Sequence, residues 1–264
     1  MTRKRKPKIT IEGLPRPKRI ELAKAKMRRV LDHFLYALEL HANNSFVVYS
    51  PVLASQIPYS YAAHAFRVFQ RSMYQIEIVR LCAIWDGVDL DKENVPTVIK
   101  LINDDTIIEM LAEETRSQHM SGAGAARWIN PSNDPIIAAE MERERLASID
   151  PQFADEQASK ARTELRQAID NALAIIGSSR LASIMNIRDK HLAHSLETTR
   201  REKEGPVQPM KNGDETELLN ASMPIIERLY CWVNGTSFSI KNSQDIDQHN
   251  AEALWNGCKF VGLR

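Results

Sequence analysis

No uninterrupted apolar run in the chain exceeds five residues, Ala172 to Ile176 being one of them, whereas a membrane-crossing helix needs about 20. No membrane span is expected. Cysteine is scarce: Cys82, Cys231 and Cys258 are odd in number, far apart and without Cys-x-x-Cys spacing, which supports neither a disulfide framework nor a zinc ribbon. A reducing cytoplasm is the expected compartment. Glycine and proline are thin, at 10 and 12 of 264 residues, and 7 Phe, 4 Trp and 6 Tyr are present. A collagen-like repeat and a wholly disordered chain are both excluded. Alternating apolar and polar segments are nearly absent, FVVYS and TSFSI being the best and too short to build a sheet. The opening MTRKRKPK is basic, but no apolar stretch follows it before Arg16 to Arg29, so no signal peptide is expected.

The chain does have apolar mass, 43% of residues, and a hidden charge asymmetry. Residues 1–29 hold 12 Lys and Arg against Glu12 and Glu21, a net +10, while the rest carries 23 against 32, a net −9. A basic arm ahead of an acidic body is suited to meet phosphates by counterion release. Part of that charge falls on the first helix and serves equally to solvate one of its faces.

Spacing of apolar residues by three and four dominates the chain. Ile20, Ala23, Met27, Val30, Leu31, Phe34 and Leu38 predict a first helix ending before Pro51, and a second follows from about Tyr59 to Trp85. DGVDLDKENVP interrupts the pattern, with Asn94 or Asp91 placed to cap a third helix. A short helix is predicted from Asp104 to Arg116. Residues 117–135, with Gly and Pro beside Ser and Asn, read as a surface loop insertion. Helices then resume at Ile136 to Ile149, Asp155 to Ile176 and Ser179 to Thr199, with Gly177 as a stop between the last two, which should pair as an antiparallel hairpin. Arg200 to Gly213 reads as a second loop and Asp214 to Asn234 as a last long helix, while the segment from Gly235 is ambiguous. The expected fold is therefore all-α, an up-and-down helical bundle with extra helices and a basic N-terminal arm. Its expected division is an arm at 1–16, a bundle at 17–241 and a tail at 242–264.

One heptapeptide departs from this pattern: Arg188-Asp189-Lys190-His191-Leu192-Ala193-His194. At about 100° per residue, Arg188 falls inside the apolar stripe formed by Leu181, Ile184, Met185 and Leu192. A guanidinium there is costly unless it meets a carboxylate, a phosphate or a partner subunit. His191 and Ser195 fall beside it on the same wheel, and His194 lies further round. Arginine offers a planar fork matched to phosphate oxygens, and histidine exchanges a proton near neutrality. Two readings stay open at the level of residues: a phosphoryl-transfer site, or a helix ion pair with histidines bonded to backbone carbonyls. His191 and His194 have the i, i+3 spacing that chelates a metal, but Arg188 on that edge repels cations and no further ligand cluster completes a site. No metal or other cofactor is expected. DGVDLDKEN lacks the central Gly and closing Glu of a calcium loop, and SGAGAA at 121–126 is no phosphate loop.

The heptapeptide, an Arg followed by a polar residue and then by His after five intervening positions, resembles the signature of the HEPN superfamily (higher eukaryotes and prokaryotes nucleotide-binding). The segment IEIVRLCAIWDGVDLDKENVPTVIKLIND is similar to the second helix, Asp-containing turn and third helix of its abortive-infection, AbiU-type branch. With IRDKHLAHS the resemblance spans roughly Arg19 to Asn234. It implies a HEPN-like bundle, and a metal-independent endoribonuclease acting as a toxin or phage-defence effector. The implied partners are RNA, a second copy in a homodimer whose motifs face across the twofold axis, and an antitoxin protein. Carried over by position, Arg188 and His194 match the catalytic pair and Asp189 the polar residue after Arg. His191, Lys190 and Ser195 are the expected substrate-binding neighbours. Some members of the superfamily are silent binding modules, so a non-catalytic helical module for a nucleotide, nucleic acid or partner protein is the alternative expectation.

Overall fold

The computed structural model describes residues 10–57, 59–121 and 150–260, together with Ile137 and Arg143. Nine residues of the basic arm, most of the 117–135 loop and the helix expected at Ile136 to Ile149 lie outside that description. Among the described residues every regular element is helical, and FVVYS and TSFSI form no strand. The fold is all-α and HEPN-like.

Among the described residues ten α-helices follow in chain order: α1 (Arg16–Val47), α2 (Pro51–Ser55), α3 (Tyr61–Ile84), α4 (Val95–Ile102), α5 (Asp105–Met120), α6 (Pro151–Ile176), α7 (Ser179–Ile187), α8 (Arg200–Glu204), α9 (Asp214–Asn234) and α10 (Ile240–Gly257). Their starts are written in the sequence. Side chains of Ser50, Asn94, Asp104, Asp150, Ser178, Thr199 and Ser239 each accept a backbone N–H of the first turn, satisfying donors that a helix leaves unpaired. Gly235 ends α9 at φ 66°, a left-handed cap that glycine adopts without steric cost. The side chain of Gln118 lies against it where a Cβ would stand.

The longest helix, α1, is the axis of the molecule. Its buried stripe of Met27, Val30, Phe34 and Leu38 is packed by α3, α4, α9 and α10, while α5 lies on α6 and α6 on α9. One apolar cluster joins these helices. Much of the early positive charge is consumed by this packing. Lys26 is buried and donates to Leu90 O at 2.6 Å and Lys92 O at 2.8 Å. Arg19 donates to Leu101 O at 2.9 Å, and Lys24 pairs with Glu114.

Five elements differ from the sequence expectation. The short α2 was not expected, and α8 stands inside the loop expected at Arg200 to Gly213. α5 runs four residues beyond Arg116. The ambiguous C-terminal segment contains α10, which buries Ile240 and Ala251 on the bundle, and Trp255 Nε1 donates to Asn43 Oδ1 of α1 at 2.8 Å. The helix expected from Ser179 to Thr199 stops early, and that break builds the candidate site.

Candidate functional site

α7 begins as its sequence requires: Ser178 caps it, and Leu181, Ile184 and Met185 are buried at helical spacing. The next position on that face is Arg188. Arg188 continues α7 with helical angles, φ −56° and ψ −52°, and its side chain is 17% exposed. From there on the backbone widens into a π-helical turn over Arg188–Leu192, closed by Ala193 N–H to Arg188 O at 2.8 Å. Leu196 N–H then reaches Lys190 O at 3.0 Å, and no helix remains from Ala193 to Thr199. The wheel positions of His191, His194 and Ser195 therefore do not hold, because the 100° step ends at Arg188. π turns within helices occur often at functional sites.

Arg188 is 17% exposed at its side chain and sits in a chain of alternating charge. Its Nε and Nη2 donate to Asp189 Oδ1 at 2.8 and 2.6 Å, and Nη1 stands 3.6 Å from Asp86 Oδ1. Arg201 Nε lies 3.8 Å from the other Asp189 oxygen. Burial opposes the Arg188 charge, but its hydrogen bonds to Asp189 together with the negative potential of Cys82, Asp189 and Asp86 outweigh that and raise its pKa above the usual arginine value. Burial likewise pushes the Asp86 carboxyl up, yet the Lys92 ammonium, the Gly87 N–H and Arg188 together hold it below the usual range. Lys92 Nζ donates to Asp86 Oδ2 at 2.8 Å, and the Asn94 amide ties the same turn by donating to Asp86 O at 3.0 Å. One turn before Asp86, the buried Cys82 thiol faces Ile184 O at 3.8 Å. Burial, only partly countered by Arg188, pushes its pKa up to about 12, so it is a packing group and no nucleophile.

A second latch holds the chain beyond the turn. Glu202 accepts from Asn186 Nδ2 at 2.9 Å, from Lys190 Nζ at 2.9 Å and from Thr199 N–H at 3.0 Å. Those bonds pull its pKa down to about 2. Thr199 and Glu202 form a capping box at the start of α8, and Thr199 Oγ1 donates to Asn186 Oδ1 at 2.5 Å. Lys190 is thus paired with Glu202 and anchors this loop. His191, His194 and Ser195 are all exposed, and among the described residues no hydrogen bond or ion pair engages their side chains.

The sequence reading placed Arg188 and Asp189 together, and the structure pairs them. It did not find Asp86, Asn186, Arg201 or Glu202. Thr199-x-x-Glu202 is a capping-box spacing that was available as a signal, whereas Asp86 and Arg201 reach the site only through tertiary packing. A separate buried network joins α1, α3 and α9. Fully buried Glu77 lies 2.7 Å from His41 Nδ1, accepts from Asn44 at 2.5 Å and from the Tyr49 hydroxyl at 3.1 Å. Burial, with Glu215 and Glu77 nearby, lifts the Tyr74 phenol to about 12. Among the described residues no three His, Cys, Asp or Glu side chains are arranged to hold a metal ion.

An all-α bundle bearing Arg-x5-His at the broken end of a late helix defines a HEPN-like module. Comparison with family models places it further: the chain belongs to the AbiU2 family of HEPN-like abortive-infection proteins, whose model matches residues 23–254. No curated protein and no solved structure matches the chain.

Proposed function

We propose that this protein is a metal-independent endoribonuclease of abortive infection, acting as a homodimer on RNA. The observation that carries the reading is the π turn: it keeps a guanidinium cationic at the protein surface's edge and releases an exposed imidazole on the adjoining loop. In this reading a ribose 2′-hydroxyl oxygen bonds to the adjacent phosphorus while the bond from phosphorus to the 5′-oxygen breaks. His194 of one copy takes the 2′ proton, and His194 of the other supplies one to the departing 5′-oxygen. The products are a 2′,3′-cyclic phosphate and a 5′-hydroxyl. Arg188 stabilises charge on the non-bridging oxygens, and Asp189 orients its fork. DNA, lacking the nucleophile, is left intact.

A second copy is supported by α3, which packs against the π turn and leaves Val68, Phe69, Ile76 and Val79 exposed along one side. Exposed apolar residues on one side of a helix suit an interaction face. An antitoxin protein covering the same strip would silence the enzyme.

Expression in a host cell tests the reading. Wild-type protein is expected to arrest growth, and His194→Ala, accumulating to the same folded level, is expected not to. Equal arrest by both would overturn the assignment and favour a non-catalytic binding module.

A further inference from the structure

Beside the charge chain lies a recess of about 410 Å³ that the reaction above does not use. Its walls come from the turn after α3, from α4 and its C-terminal cap, from the end of α6, and from α7 and α8. Three large apolar side chains that line it, Val88, Leu173 and Ile176, are 40 to 50% exposed. Asp86 and Arg201 form part of the same lining. Arg201 turns its buried Nε toward Asp189 Oδ2 at 3.8 Å, while its side chain as a whole is 42% exposed and lines the recess. The recess has the size and mixed lining of small-molecule sites. It also touches the reacting centre, since Asp86 stands 3.6 Å from Arg188.

We propose that this recess takes a guanine base of the RNA strand, next to the phosphate held at Arg188. The apolar walls cover the two faces of a flat ring. The exposed part of the Arg201 guanidinium, away from the Nε that faces Asp189, offers donors to the recess, and guanine presents two acceptors, O6 and N7, in the spacing an arginine fork reads. Pyrimidines lack that pair, and adenine replaces O6 with a donor. The inference rests on the nuclease reading for its biological meaning, but its binding chemistry is independent of it.

Calorimetric titration of the full chain with guanosine 5′-monophosphate, cytidine 5′-monophosphate and ribose 5-phosphate tests the inference. The guanine nucleotide is expected to bind at least about tenfold tighter than the other two. Ala182→Trp, which fills the recess, and Ile176→Asp, at an exposed wall position, are each expected to remove that preference with unchanged circular dichroism. Equal binding of guanosine 5′-monophosphate and ribose 5-phosphate, or wild-type affinity in both variants, would overturn the recess. Binding of the guanine nucleotide by a protein that leaves RNA uncut would refute the nuclease reading and keep the recess. RNA cut without base preference would keep the nuclease reading and refute the recess.

Discussion

Arg188 and His194 stand only six positions apart, yet the chain treats them oppositely. The guanidinium is drawn in and neutralised by Asp189 and Asp86, while the imidazole is exposed. Replacing Arg188 by Ala removes the charge that a phosphorane-like transition state needs, and RNA cleavage is expected to fall by about a hundredfold or more. Arg188→Lys should restore little, because an ammonium cannot make two parallel bonds; cleavage rates of the two variants on one RNA check this. A second residue-scale expectation concerns Glu77. Truncation to Ala strands His41, Asn44 and Tyr49 in a buried space, which costs about 3 kcal/mol. Thermal melting should register a loss of about 6 to 12 °C, and Glu77→Gln a smaller one. The sequence displayed the Arg188 anomaly plainly, since a charge inside an apolar stripe needs no structure to be noticed. Asp86 and Arg201 stayed hidden because their link to Arg188 joins segments far apart in the chain.

At the level of elements, the decisive event is the loss of α-helical register at Arg188. Periodicity predicted a continuous helix to Thr199, and each residue from Arg188 to His194 is compatible with one. The bonds that hold the widened segment are tertiary, Asn186 and Lys190 donating to Glu202, so pattern alone did not reveal the break. The latch at Glu202 then fixes where the freed segment returns. Its carboxyl, pulled down to about 2 from an ordinary 4.5, contributes stability that is complete above pH of about 4.5 and is lost as pH falls toward 2. Carbon NMR of Glu202 is expected to show titration near that lowered value, rising when Lys190 is replaced by Met. Titration at the ordinary value in the wild type would contradict the latch. Asn94 deserves the same test from the other side of the site. Its side chain caps α4 and holds the Asp86 turn, so Asn94→Ala should cost about 1 to 2 kcal/mol, measurable by denaturant melts.

For the whole molecule, the order of the long helices followed from the three-and-four spacing, and α9 was found to its ends, whereas the short α2 and α8 were not expected. The C-terminal segment was not, since α10 is polar over most of its length and buries only Ile240 and Ala251; its helix is held by docking on α1. The proposed twofold arrangement predicts a particle of twice the chain mass of 30.0 kDa in light scattering. Ile76→Glu, placed on the exposed strip of α3, should shift that particle toward one copy and lower cleavage together. A variant that is monomeric yet fully active would separate dimerisation from the site.

The most direct measurement is the end chemistry of RNA incubated with purified protein in EDTA. The account predicts fragments ending in 2′,3′-cyclic phosphate and 5′-hydroxyl from the wild type, and intact RNA from Arg188→Ala and from His194→Ala. Uncut RNA with the wild type, or the same fragments from either variant, would contradict it.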